Sequence, residues 1–239
     1  MTLKSKIFLV PLAVLCLSTA LTAQSDLSEK SGLEKFQAGA GWIGWVIEAL
    51  SVVALTLIIK YAMEMRRSKL APPEVVDEIE ALLEAEEYQE AMEVCESEPC
   101  FFTNVVAAGL AKINVSFDTM EKSIGEMLDE ENTKISGKLS WLTLLSAIAP
   151  MLGLLGTVQG MIGAFDQIAA SKGQATPDQL ADNIAMALIT TLLGLMVAIP
   201  VTSAYVVIRN RVIATSIEIA AVVEDMFERF RPRNPGTSA

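Results

Sequence analysis

Two long stretches of the chain carry no charged residue: Leu139 to Phe165 and Ile184 to Ile208. Each exceeds the roughly 20 residues that an α-helix needs to cross the hydrocarbon core of a bilayer, so both are predicted to span a membrane. A third apolar run extends from about Trp42 to Tyr61, with Trp42 and Trp45 at one end, where indole rings favour the membrane interface. Cations mark one end of every span: Lys60, Arg66, Arg67 and Lys69 at the end of the first, Lys134 and Lys138 before the second, Arg209 and Arg211 after the third. Cationic flanks stay in the cytoplasm, which predicts an N-terminus outside and a C-terminus inside.

Between the first two spans the pattern changes to a helical period. Val75, Val76, Ile79, Leu82 and Leu83, then Tyr88, Ala91, Met92 and Cys95, recur at spacings of three and four, opened by Pro72 and Pro73 and broken at Pro99. Asp118 with Glu121 three residues on is a helix-start signal, and Met120, Ile124, Met127, Leu128 and Ile135 follow on one face. The expectation is one helix running from here through the second span, on the order of 70 Å from Asp118 to Phe165. After the third span, Ile213, Ser216, Ala220, Val223, Phe227 and Phe230 continue an apolar and small stripe. The residues after Arg231 read as a disordered tail. At the other end, Lys4 and Lys6, an apolar run from Ile7 to Leu17 and small residues up to Ala23 form the pattern of an export signal, with an uncleaved anchor as the alternative.

The predicted class is an all-α membrane protein with three transmembrane helices, the second and third extended into a cytoplasmic helical bundle. The divisions are 1–23 signal peptide, 24–41 periplasmic segment, 42–61 first span, 62–138 cytoplasmic helical domain and 139–165 second span. A periplasmic loop at 166–183, the third span at 184–208 and a cytoplasmic helix and tail at 209–239 complete it.

Composition narrows the chemistry. The chain is 52% hydrophobic against roughly 45–50% for a soluble domain. Its net charge of −11 is concentrated where Leu70 to Ala111 contain no Lys or Arg, which argues against nucleic acid as a partner. There is no histidine, the usual general base near neutral pH and the commonest metal ligand. Cys95 and Cys100 have no companions for a zinc site and read as structural thiols, while Leu15 before Cys16 departs from a lipoprotein acceptor. The acidic segment follows helical spacing rather than a calcium loop. With no nucleophile and base pair, metal cluster or phosphate loop in the sequence, neither an enzyme nor a cofactor is expected.

Inside the spans, small residues fall on faces. Ser146, Pro150, Gly153, Thr157, Gly160 and Ala164 recur at helical spacing in the second, with Ala149, Gly156 and Gly163 alongside; Ala187, Thr191, Gly194, Ala198 and Thr202 do so in the third. Such faces let helices approach closely in lipid. Thr157 and Thr191 sit mid-span on them, where a hydroxyl either satisfies its own helix or lines a polar pathway. Neither span contains a titratable carboxyl, which a proton relay at depth requires. Glu48 in the first span is the candidate acid, within about two helical turns of the outer interface.

The run APMLGLLGTVQGMIGAF at Ala149 to Phe165 closely resembles the second-span signature of the ExbB, TolQ and MotA proton-channel family, and ADNIAMALITTLLGLMVAIP at Ala181 to Pro200 is similar to its third-span signature. The three-span topology resembles the ExbB and TolQ branch, since MotA-type stators have four. The resemblance implies an inner-membrane protein that forms a homopentamer around a dimer of a small ExbD-like or TolR-like partner. That partner's transmembrane aspartate carries the proton, and the motion passes to a TonB-like or TolA-like protein. It further implies that Thr157 and Thr191 line the pore, and that Pro150, Gly153, Gly156, Gly160, Gly194 and Pro200 shape and pack the helices. Met186 stands where many relatives have a glutamate; either that role is dispensable in this branch, or Asp182, one turn earlier, substitutes for it. The resemblance leaves open whether TonB-dependent transport or TolQ-like envelope maintenance is energised, and the packing faces alone also fit a non-conducting scaffold.

Overall fold

The computed structural model describes residues 41–174 and 176–231. The predicted export signal, most of the segment 24–41 and the tail after Arg231 lie outside them. The described residues form seven helices and no strand: α1 (Gly41–Glu64), α2 (Arg67–Leu70), α3 (Pro73–Glu84), α4 (Tyr88–Ser97), α5 (Phe101–Leu110), α6 (Phe117–Ala170) and α7 (Pro177–Glu228). Three of them are long and apolar enough to cross a membrane, over Trp42–Glu64, Phe117–Ala170 and Leu180–Glu228. The chain divides into two compact units, one of residues 41–58 and 142–205 and one of 59–141 and 206–231, so that α1, α6 and α7 contribute to both.

In the first unit only 17–28% of the most apolar windows of the three long helices is buried. Leu154, Ile162 and Phe165 on α6 and Leu188, Leu192 and Ile199 on α7 face outward. In water so much exposed apolar surface is a liability; in lipid it is the solvent-facing side. Pro150 and Pro200 lie inside α6 and α7, each removing one backbone donor, and both helices run through them. The connection between these helices is short. Helix α6 continues to Ala170 and α7 resumes at Pro177, with Lys172 and Gly173 in the left-handed region at φ 52° and 84°. The Gly173 N–H donates to Ile168 O at 3.0 Å, which closes the end of α6.

The second unit is built around α5. Its sequence FFTNVVAAGL has no charge, and Phe101, Phe102, Thr103, Val105, Val106, Gly109 and Leu110 are all buried. Gly109 is required by close approach, because a Cβ there would lie 2.8 Å from Phe227 Cζ and 3.0 Å from Ile124 Cδ1. Cys100 caps this helix: its Sγ accepts from the Thr103 N–H at 3.5 Å, while the Thr103 hydroxyl accepts from the Cys100 N–H at 2.7 Å. Also buried in this unit are Val75, Ile79 and Leu83 of α3, Ala91 and Cys95 of α4, Met120, Ile124 and Ile135 of α6, and Val212, Ser216, Ile219 and Val223 of α7. Two expectations are corrected. Ile213 is 47% exposed and Val212 takes the inward position. Ser116, rather than Asp118, caps α6, its hydroxyl accepting from the Thr119 N–H at 3.2 Å; Asp118 sits in the first turn, where its charge favours the helix dipole.

Candidate functional site

The site anticipated from the small-residue faces lies in the first unit, where α6 and α7 pack backbone to backbone. The buried positions on α6 are Leu142, Leu145, Ala149, Gly153, Gly156 and Ala164, and on α7 Ala187, Thr190, Gly194, Ala198 and Val201. A Cβ on Gly194 would lie 2.5 Å from Ala149 O, one on Gly153 3.0 Å from Thr190 O, and one on Gly160 2.8 Å from Ala187 Cβ. Gly156 faces the Thr190 side chain, whose Cβ would be 2.6 Å away. Four of the anticipated packing glycines are therefore in contact across this pair of helices. Pro150 and Pro200 are half-buried beside them.

Hydroxyls fasten the contact. Thr190, 3% exposed, shares its proton between Ala187 O at 2.8 Å and Gly153 O at 3.3 Å. Thr191 donates to the same Gly153 O at 3.3 Å. Thr157 donates instead to Leu154 O of its own helix at 2.7 Å, and is half-buried like Thr191. Thr157 and Thr191 thus lie at the boundary of the packed face, and no hydrogen bond joins them. Sequence reasoning missed Thr190. The signal was available, since 187, 190, 194, 198 and 201 repeat at three and four as regularly as the register through 191.

Towards the connection between α6 and α7, the Asn183 Nδ2 donates to Gln167 Oε1 at 2.7 Å and ties the two helices by an amide pair. Asp182 and Glu48 are exposed, and Met186 is half-buried. Among the described residues no three His, Cys, Asp or Glu side chains converge to hold a metal ion. Chemically this arrangement offers hydroxyls and carbonyls but no group within the uncharged stretches able to bind and release a proton near neutral pH.

Among the described residues, the ionisable groups with displaced titration lie in the second unit. Hydrogen bonding and charge from Glu218 raise the Arg67 guanidinium, and Arg67 in turn holds the Glu218 carboxyl below its ordinary value, through contacts of 3.0 and 2.8 Å. Lys134 is raised by Glu131 and Glu130, at 2.8 and 3.0 Å. Burial pushes the Cys95 thiol up to about 11.

This fold defines a membrane protein of three apolar spanning helices, the second and third locked by glycine and threonine and continued into a helical unit outside the uncharged stretches. The chain belongs to the MotA/TolQ/ExbB proton channel family, whose sequence pattern matches residues 97–220, more than half of its length. Biopolymer transport protein exbB1 of Vibrio cholerae is 41% identical over 95 residues, covering 40% of this chain and 42% of that protein. The ExbB protein of Xanthomonas campestris is 38% identical over 86 residues (36% and 34%), and the Tol-Pal system protein TolQ of Haemophilus influenzae 35% over 98 residues (41% and 40%). The chain thus spans about two fifths or less of the length of these relatives. A solved structure of C. jejuni MotAB shares the fold, with a TM-score of 0.59 at 14% identity over 96% of this chain and 98% of that one. Spans and family together make it an inner-membrane protein.

Proposed function

We propose that this chain is the proton-channel and motor subunit of an envelope complex. It uses the proton motive force, with an ExbD-like or TolR-like single-span partner, to energise TonB-dependent transport across the outer membrane. One observation carries the reading: the packed pair α6 and α7 presents Thr157 and Thr191 at the edge of a close contact, in stretches that contain no carboxyl. A hydroxyl relays a hydrogen bond but does not store a proton, so the acid comes from the partner, beside these two threonines. Each proton then delivers about 2.3 kcal/mol per 100 mV of membrane potential.

In this reading Pro150, Gly153, Gly156, Gly160, Gly194 and Pro200 set the helix geometry, and the outward apolar faces of α6 and α7 meet further copies in a homopentamer. The N-terminus is periplasmic and the C-terminus cytoplasmic. Asp182 and Glu48 serve at most as accessory acids near the outer surface, and Met186 removes a titratable group from the path. A TolQ-like role in envelope maintenance is the second reading, favoured by the Haemophilus relative.

Native mass spectrometry of the protein extracted gently from its own membrane is the first test. Five copies holding a small single-span protein with an intramembrane aspartate is the expected result, and that partner's genetic neighbours decide between TonB and Tol systems. A ring without any acidic partner means a scaffold. Thr157→Val and Thr191→Val, which keep volume and remove the hydroxyl, are expected to abolish energised uptake while leaving the ring assembled; near-silent variants overturn the pore role.

A further inference from the structure

Within the second unit, an open groove of about 950 Å³ runs between the end of α1, α2, the start of α5 and the middle of α6. Its charge is unlike that of the rest of the chain. Lys60, Lys69, Lys134 and Lys138 line it against Glu64 and Glu131, an excess of two positive charges in a protein of net charge −11. The lysines differ in their engagement. Lys138 is paired with Glu64, and Lys134 with Glu130 and Glu131, the latter also accepting from Asn104 Nδ2 at 3.1 Å. Lys60 and Lys69 have no ion partner among the described residues, so the free positive charge of the groove is theirs.

Position and lining indicate what neutralises them. Lys60 lies in the last turns of the first apolar span, Trp42–Glu64, and Lys138 immediately precedes the uncharged stretch that begins at Leu139. Both therefore sit at the depth where a span leaves the hydrocarbon and meets lipid headgroups. Met63, 60% exposed, with Leu70 and Ile135, supplies an apolar wall beside the ammonium groups. A small soluble anion has no use for that wall. A phospholipid has, because its glycerol and first methylenes lie beside its phosphate. We propose that the groove binds the headgroup of an anionic phospholipid, with Lys60 and Lys69 contacting the phosphate and the Met63 and Leu70 wall taking the start of an acyl chain. Basic pockets beside transmembrane helices are a general means of holding such headgroups. In the topology proposed above the lipid belongs to the cytoplasmic leaflet, but the binding itself does not depend on proton conduction.

The test is native mass spectrometry of the full-length protein in detergent, titrated with phosphatidylglycerol or with phosphatidylcholine of the same chain length. Retention of phosphatidylglycerol is expected to exceed that of phosphatidylcholine by about five-fold or more, as for a headgroup held in a basic pocket. Lys60→Gln/Lys69→Gln is expected to erase the preference, Arg209→Gln/Arg211→Gln to keep it, and excess inorganic phosphate not to displace the lipid. Equal retention of the two lipids overturns the proposal. So does an equal loss in both double variants, which means only a general attraction of cationic flanks, or complete displacement by phosphate, which means a soluble-anion site. Should the lysine variant fail to fold, Met63→Trp narrows the groove at unchanged charge and is expected to lower retention; unchanged retention in that variant overturns the proposal equally.

Discussion

Replacing Gly194 by alanine tests the helix contact where it meets neighbouring backbone most closely. The new Cβ would lie 2.5 Å from Ala149 O, 3.2 Å from Ala149 C and 3.3 Å from Gly153 Cα, all of them backbone atoms of α6. Nonbonded carbons sit at roughly 3.5–4.0 Å, so the helices must part by about 1 Å, because no side chain is available to rotate away. Two interhelical bonds stretch with them. Thr190 and Thr191 both reach Gly153 O at 3.3 Å, and a further few tenths carries them beyond hydrogen-bond range. Losing both is worth about 1 kcal/mol at the average measured for such bonds in membranes. Forcing a methyl into a packed contact costs about 1–3 kcal/mol, and the better helix propensity of alanine returns about 1 kcal/mol. The net is a destabilisation of about 1–3 kcal/mol. Gly137→Ala on α6 is the control, since nothing lies within 4 Å of its Cβ, and a gain of up to about 1 kcal/mol is expected there. Equilibrium unfolding in mixed micelles of increasing dodecyl sulfate, followed by circular dichroism, gives both values. If Gly194→Ala proves as stable as Gly137→Ala, the two helices do not pack through this glycine.

Three further outcomes follow from the second unit. Cys95, buried and with its thiol raised to about 11, is expected to resist maleimide in the native protein at about pH 8, where its thiolate is on the order of a thousandth of the population. Peptide mapping showing native Cys95 labelling as fast as the denatured control refutes this. Arg67 depresses the Glu218 carboxyl, so the pair's contribution is present above the unfolded carboxylate value of 4.5 and is lost as pH falls through the lower folded value. Wild type and Glu218→Gln are therefore expected to differ slightly in Tm near neutrality and converge in acid; because both side chains are exposed, the gap should also shrink in high salt. Finally, Glu86 holds φ 61° where α3 ends, and Glu87 N–H donates to Leu82 O at 2.9 Å, an arrangement in which glycine is the usual residue. Glu86→Gly is expected to raise stability by up to about 1 kcal/mol, and a lowered Tm would show that the left-handed position is not strained.

The spans were legible because lack of charge over more than 20 residues has few other physical meanings. The helical period of α3 and α4 was legible for a similar reason: Val75, Ile79, Leu83, Ala91 and Cys95 repeat against an acidic face and are the residues buried. Helix α5 escaped the reading. FFTNVVAAGL is apolar on every side, so a method that looks for one apolar face finds no contrast in it, and it is buried on nearly all sides in the structure. The start of α6 was misplaced because Ser116 and Asp118 are both capping residues two positions apart, and only geometry shows which side chain meets a free N–H.

The candidate site shows where pattern stops and rotation begins. Thr190 and Thr191 are neighbours in sequence, and on a helix neighbours point about 100° apart. Either fits a small-residue face, since the registers 187, 190, 194 and 187, 191, 194 both keep spacings of three and four. The close approach at Gly194 and Gly156 resolves it. With Gly156 against the Thr190 side chain, Thr190 is enclosed, and its hydroxyl is spent on Ala187 O and Gly153 O. Thr191 is then turned to the boundary, half-buried and with one long bond to Gly153 O that a competing partner can replace at little cost. The buried hydroxyl is suited to hold the helices together and the boundary hydroxyl to meet a group supplied by another chain. That difference in enclosure, rather than the presence of threonine in a span, separates a fastening residue from a candidate pathway residue.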